Sequence, residues 1–161
     1  MVIYSVFLLI SLFLESIIPN LINNFIPFFM IGLIILVNIF HLDLKKLIII
    51  TFIFGVLYDL LYTDFIFLHG FLFAFILYVT SSFINDRKNF FLILIFYYVS
   101  CVFYSLFIYL ISFLYTNVYI LDIVNTFLSS IIINTLYFII VYVIFILVNR
   151  IITNKKTFKA Y

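Results

Sequence analysis

Long runs of apolar residues, separated by short polar breaks, are the feature that most limits how this chain can fold. Of its 161 residues, 69% are hydrophobic and 9% are charged, against about 25% charged residues in an average soluble domain. A soluble chain of this size would keep roughly 30% of its surface exposed, and here that surface would consist largely of Phe, Leu and Ile. The composition therefore excludes an ordinary soluble globule and a disordered chain, and it predicts an integral membrane protein folded as one unit.

The apolar runs predict six transmembrane helices. A helix needs about 20 residues to cross the hydrocarbon layer, with about 17 to 25 acceptable, and continuous runs favour helices over the strands of a membrane barrel. The second and third runs are short, so local thinning of the bilayer is expected there. We predict an all-α bundle in residues 1–150 and a short basic cytoplasmic tail in 151–161. The predicted spans are 2–18, 25–40, 47–62, 65–84, 90–115 and 123–148.

The basic residues predict an orientation for this bundle. If six helices alternate in direction, every Lys and Arg falls on one side of the membrane, and the positive-inside rule makes that side the cytoplasm, with both termini there. The net charge of +2 is too small to indicate binding of nucleic acid. The basic residues are Lys45, Lys46, Arg87, Lys88, Arg150, Lys155, Lys156 and Lys159.

Small and polar residues recur at helical spacing inside the spans. Helices in lipid associate through small side chains and interhelical hydrogen bonds, so these stripes predict the inner faces of the bundle. Span three carries the stripe Thr51, Gly55 and Asp59, and span four carries Gly70, Ala74, Tyr78 and Ser82. The residues predicted to serve helix packing or partner docking are Thr51, Gly55, Asp59, Gly70, Ala74, Glu15 and Asn134.

Two of these residues, Glu15 and Asp59, are carboxylates within apolar sequence, about one turn from the outer ends of their spans. A carboxylate at mid-bilayer costs roughly 2.5 to 3.5 kcal/mol, so we interpret both as hydrogen-bonded anchors or docking groups. A short outward shift would expose Glu15 to water. His69 could reach Asp59 if spans three and four form a tight hairpin.

Polar residues in the turns are predicted to cap the helices that follow them. The predicted caps are Asn23 or Asn24 for span two, Thr63 or Asp64 for span four, and Asp122 for span six. His41 is interpreted as a residue of the cytoplasmic interface. Because His41 and His69 lack metal-ligand spacing and no nucleophile or phosphate-binding motif is present, neither a metal, a cofactor nor an enzymatic activity is expected.

The sequence FIFGVLYDLL, which begins at Phe52, is followed by LHGFLFAFILY, which begins at Leu68. Together they resemble the signature of the rod shape-determining protein MreD family. In that family a glycine and an aspartate four apart end one span and a further glycine opens the next, as Gly55, Asp59 and Gly70 do here. Pro27, at the opening of span two, also fits, and the resemblance covers roughly residues 1–150.

This resemblance implies a non-enzymatic scaffold of the bacterial plasma membrane that is needed for cell shape and lateral peptidoglycan synthesis. Its partners would be a single-pass protein like MreC and, through it, an actin-like MreB and the glycosyltransferase and transpeptidase of the wall. The six-helix fold of the family is similar to that of the substrate-binding subunits of energy-coupling-factor transporters.

Two alternatives stay open. The first is a vitamin uptake subunit, but such subunits dock their energising partner through alanines four apart on the first helix, whereas the alanines here are Ala74 and Ala160. The second is an intramembrane aspartyl peptidase that would use Asp59 with Asp122. The Asn and Ala-Asp motifs of that peptidase family are missing, and six spans exceed its four.

Overall fold

The structure is a computed structural model that describes residues 2–22, 25–39, 43–63, 65–84, 89–115 and 120–158. Over these ranges the chain is helical, with six α-helices and one short 3-10 helix. Several predicted features lie outside the described residues: Asn23, Asn24, His41, Asp64, Arg87, Lys88 and Lys159, and the side chains of Asp122, Lys155 and Lys156. The helices are α1 (Val2–Leu21), α2 (Phe29–Leu36), the 3-10 helix Val37–Ile39, α3 (Leu44–Tyr62), α4 (Leu68–Ile84), α5 (Phe90–Tyr115) and α6 (Ile120–Phe158).

Three helices are long and apolar enough to cross a membrane, judged by length and composition. They are α1, the stretch Phe90–Leu114 of α5 and the stretch Val124–Val148 of α6. α4 is apolar but has 17 residues, and α3 includes two lysines and an aspartate among its 19. Large apolar side chains stay exposed on the outward faces, for example Leu60 at 63% and Ile132 at 70%. Such surfaces indicate a membrane protein.

Successive helices alternate in direction around the bundle. Tyr4 bonds to Thr51 and Tyr62 bonds to the Leu12 carbonyl, so α1 and α3 run parallel. α6 runs antiparallel to α1, and α5 runs antiparallel to both α4 and α6. The contacts that show this are Phe7 with Phe145, Ser11 with Tyr137, Phe75 with Phe103, Phe83 with Phe96, Tyr97 with Phe138 and Phe90 with Tyr142.

The alternation gives the bundle two different ends. The start of α3 and the C-terminal half of α6 lie at the end where α1 begins, so Lys45, Lys46 and Arg150 are exposed at the same end. We call it the basic end. The other is called the carboxylate end, because Glu15 and Asp59 lie near it.

α3 and α4 form an antiparallel hairpin that crosses at Gly55 and Gly70. A Cβ atom at Gly55 would lie 2.6 Å from both the Gly70 Cα and the His69 carbonyl oxygen, so only glycine permits this approach of the two backbones. Phe67, just before α4, has a φ of 71°, a conformation that bulky residues rarely adopt. The helix therefore begins at Leu68, three residues later than predicted.

The second predicted span is not a continuous helix, so the prediction for 25–40 is wrong in this respect. Residues 25–28 are not helical, α2 has eight residues, and a 3-10 helix follows. Phe28, just before α2, has a φ of −126° and a ψ of 33°. The backbone groups of these non-helical residues need hydrogen-bond partners elsewhere in the fold.

α2 is the centre of the bundle. All eight of its residues are buried, with exposed fractions between 0% and 1% for its apolar side chains, and it packs against α1, α4, α5 and α6. A helix that is apolar all round is one that is buried on every side. No residue of α2 is therefore left on the outer surface of the bundle.

The described ends of α1 and α6 also differ from the predicted spans. α1 continues through Pro19 to Leu21, beyond its predicted end at Ile18. α6 begins at Ile120, so Asp122 lies within its first turn instead of before the helix. The helix also continues to Phe158, so the backbone of most of the predicted tail is helical.

Candidate functional site

Asp59 caps the helix that follows its own. It lies in the last turn of α3 with an exposed fraction of 1%. Its Oδ2 accepts a hydrogen bond from the backbone N–H of His69 at 2.9 Å, and its Oδ1 accepts one from the Thr63 hydroxyl at 3.1 Å. His69 is the second residue of α4, where a free amide and the positive end of the helix dipole favour a carboxylate. Thr63, predicted as a possible cap of span four, instead ends α3.

His69 extends this arrangement to α5. Its Nδ1 lies 2.5 Å from Asp59 Oδ1, which is the contact that a tight hairpin was expected to allow, and its Nε2 lies 2.9 Å from the Tyr104 hydroxyl. The imidazole has an exposed fraction of 3%. Three rings pack around it, Tyr58, Tyr104 and Phe73, with centroids at 4.7, 5.6 and 5.7 Å. A chain of polar contacts therefore joins α3, α4 and α5.

Glu15 caps α2 in the same way. Its Oε1 accepts a hydrogen bond from the backbone N–H of Met30, the second residue of α2, at 2.8 Å. The side chain is 8% exposed, and α1 continues for six residues beyond it. Glu15 is therefore a buried, hydrogen-bonded group that the start of α2 covers.

Side chains of α6 form hydrogen bonds with the backbone of the non-helical residues 25–28, which have no helical partners for these groups. The Ser130 hydroxyl accepts from the Ile26 N–H at 2.8 Å. The Asn134 side chain accepts from the Phe28 N–H at 2.9 Å and donates to the Ile26 carbonyl at 2.8 Å. Pro27 has no N–H to satisfy. Non-helical backbone inside a membrane protein needs such partners, and Ser130 and Asn134 supply them here. We call residues 25–39 the interrupted span.

The other predicted stripe residues divide into two groups. Thr51 is buried and bonds to Tyr4 at 2.8 Å, and Ala74 is half-buried on α4. Tyr78 is 58% exposed and Ser82 is exposed, so the predicted continuation of the α4 stripe is wrong. Each step of four residues turns a helix by about 40° beyond a full rotation, and three steps carry the line out of the interface.

Several polar contacts between helices were not predicted from the sequence. Asn38 donates to Thr80 at 3.2 Å, Tyr98 bonds to Thr135, and Tyr104 bonds to His69. With 13 tyrosines in the chain, phenol groups gave no signal of their own. A search for polar residues on the buried face of α4, rather than along steps of four, could have found Thr80.

Asp59 and Glu15 each accept a hydrogen bond from the backbone of another helix and His69 contacts Tyr104 of α5, so these groups join helices. The Asp59 carboxylate already meets three donors or ring nitrogens, and the side chain of Asp122, its partner in an aspartyl peptidase, lies outside the described residues. Within the ranges that the structure describes, no group of three or more His, Cys, Asp or Glu residues could hold a metal ion.

Comparisons with known proteins return no match. No protein-family model matches the chain. No curated protein matches it either, and neither does any solved structure. Any assignment of function therefore depends on the chain's own residues.

Proposed function

We propose that this protein is a non-enzymatic, multi-pass scaffold of the bacterial plasma membrane, of the MreD type, that holds a single-pass MreC-like partner within the cell-elongation complex. One observation supports this proposal above the others. Gly55, Asp59 and Gly70, the residues that carry the family resemblance, meet at one hairpin. The two glycines allow the backbones to touch, and the carboxylate caps α4.

The proposed topology has six crossings with both termini in the cytoplasm. The alternating helix directions and the exposure of Lys45, Lys46 and Arg150 at one end support it, because the positive-inside rule places such an end at the inner surface.

The proposed partner meets an apolar face of the bundle. Glu15, Thr51, Asp59 and Asn134 bond to groups of this chain, and Gly55 is covered by α4. Docking of a partner helix would then depend on close packing in lipid, where helices associate without a hydrophobic driving force. The buried residues would act indirectly, by fixing the shape of the surface that the partner contacts.

The proposal is tested by purifying the tagged protein from its native membrane and identifying what accompanies it. We expect a single-pass partner with a coiled coil and, in Gly55→Leu and Asp59→Leu, recovery of that partner reduced by a factor of about ten, since about 1.4 kcal/mol of lost docking energy is a tenfold change. Lys45→Gln, at an exposed polar position of the same helix and away from any apolar face, is the control and should change recovery little.

Two outcomes would contradict the proposal. One is unchanged recovery and unchanged cell shape in both buried variants at equal protein levels. The other is co-purification of a tightly bound vitamin in place of a protein partner, which would favour an uptake subunit.

A further inference from the structure

His69 is surrounded by groups that can respond to a proton. Asp59 and Tyr58 face it from α3, and Tyr104 faces it from α5. Glu15 of α1 lies at the same end of the bundle, where it accepts a hydrogen bond from the Met30 N–H. The exposed cations Lys45, Lys46 and Arg150 lie at the opposite, basic end. The positive charge that this cluster can acquire is therefore the charge of the imidazole itself.

The hydrogen bonds of His69 can be completed in both of its protonation states. Nδ1 donates to the Asp59 carboxylate in either state. When Nε2 carries no proton, it accepts a hydrogen bond from the Tyr104 hydroxyl, and when it is protonated it donates to the same oxygen, because a phenol is both donor and acceptor. Only the hydroxyl hydrogen has to rotate. That hydrogen can then turn toward Tyr58, with which Tyr104 also shares a side-chain hydrogen bond.

We propose that His69, held between Asp59 and Tyr104, is a reversible proton-binding site at the carboxylate end of the bundle. The proton comes from water at that end, next to the half-buried Thr63, and forms an N–H bond with the Nε2 lone pair. The resulting imidazolium faces the Asp59 carboxylate and the rings of Tyr58, Phe73 and Tyr104. This site goes beyond the proposed scaffold role and does not depend on it.

Proton binding would strengthen the link between α4 and α5. A hydrogen bond from a charged donor is roughly twice as strong as one between neutral groups. The contact between His69 and Tyr104 joins the hairpin to α5, so acidification at the carboxylate end would tighten that junction. The site would thereby make the packing of the hairpin dependent on pH.

The decisive experiment uses the small number of histidines. The chain has two, so His41→Gln leaves His69 as the sole reporter. The 15N spectrum of this protein, labelled at histidine and reconstituted in lipid bilayers, is recorded from roughly pH 4 to 9, the range around the ordinary titration of histidine. We expect Nδ1 to stay protonated while Nε2 changes from acceptor to N–H. An Nε2 signal that stays in one state over the whole range would overturn the proposal.

A pair of tyrosine variants of α5 tests the role of Tyr104. Tyr104→Phe removes the acceptor of the charged hydrogen bond, so the proton affinity of His69 should fall about three- to tenfold. Tyr109→Phe is the matched control, because Tyr109 packs on Phe113 of the same helix, and it should leave the titration unchanged. The Nδ1 signal, which reports the contact with Asp59, shows whether each variant keeps the site. Equal titration in the two variants would overturn the proposed pairing with Tyr104.

Discussion

The hairpin of α3 and α4 and the interrupted span each contain a helix start whose backbone amides need a buried hydrogen-bond acceptor. In each, a carboxylate near the end of one helix accepts the second amide of the next: Asp59 bonds to the N–H of His69, and Glu15 bonds to that of Met30. Both carboxylates thus act as helix caps across a turn. A helix start in an apolar bundle cannot rely on water, so a buried acceptor is needed at each.

The two regions differ in how far along the chain their support lies. The hairpin is held by residues ten to fifteen apart, Asp59 with His69 and Gly55 with Gly70. The interrupted span depends in addition on Asn134, whose partners are more than 100 residues away. The hairpin can therefore form from local sequence, whereas the interrupted span requires α6 to be in place.

The largest expected effect is on the interrupted span. Asn134→Leu leaves the Phe28 N–H and the Ile26 carbonyl without their partner, and the free energy of unfolding should fall by about 3 to 5 kcal/mol, since each unsatisfied group costs several kcal/mol in a membrane interior. Asn125→Leu, at an exposed position of the same helix, is the control and should change it by less than about 0.5 kcal/mol. Unfolding by detergent titration in mixed micelles measures both. Equal stability of the two variants would mean that Asn134 does not support this segment.

A smaller effect is expected at the crossing of the hairpin. Gly55→Ala places a Cβ 2.6 Å from backbone atoms of α4, so the helices must separate, at a cost of about 2 to 3 kcal/mol. In Gly32→Ala the nearest atom would be Cδ2 of the Phe138 ring, at 3.3 Å, and a side chain can shift. We expect that change to cost less than about 1 kcal/mol by the same measurement. If Gly32→Ala proved the more damaging, the close backbone contact would not be the basis of the hairpin.

The smallest effects on the free energy of unfolding are expected when either carboxylate is replaced by its amide, and they should differ between Asp59 and Glu15. Asp59→Asn turns one acceptor oxygen into an NH₂ group that faces either the His69 amide or the Thr63 hydroxyl, so it should destabilise by about 1 to 2 kcal/mol. Glu15→Gln keeps an oxygen for the Met30 amide and should cost less than about 1 kcal/mol. The same titration, at a pH near neutrality, tests the order. A larger loss in Glu15→Gln would show that the two caps differ from this description.

Contacts between residues that are close in the sequence could be predicted from it, whereas contacts between distant residues could not. The stripe of Thr51, Gly55 and Asp59 followed from spacing, because residues four apart share a helix face. The contact between His69 and Asp59 required only the assumption of a tight hairpin. The non-helical segment before α2 could not be predicted, because an apolar run of this length has the same pattern whether or not all of it is helical. The partners of Asn134 are set by how α6 packs, which spacing does not encode.

The sequence alone determined that the chain is helical and apolar, since too few polar groups are present to face water. It also predicted that Gly55 and Asp59 share one face of a helix, and that His69 of the next helix could reach Asp59 in a tight hairpin. Only the tertiary structure decided that α2 is a short, fully enclosed helix. It also decided that Glu15, Ser130 and Asn134 accept hydrogen bonds from backbone amides at the start of α2 and in the residues before it. The physical reason is that a backbone group in an apolar interior takes whatever donor or acceptor the fold brings to it, and in the interrupted span that partner comes from distant helices.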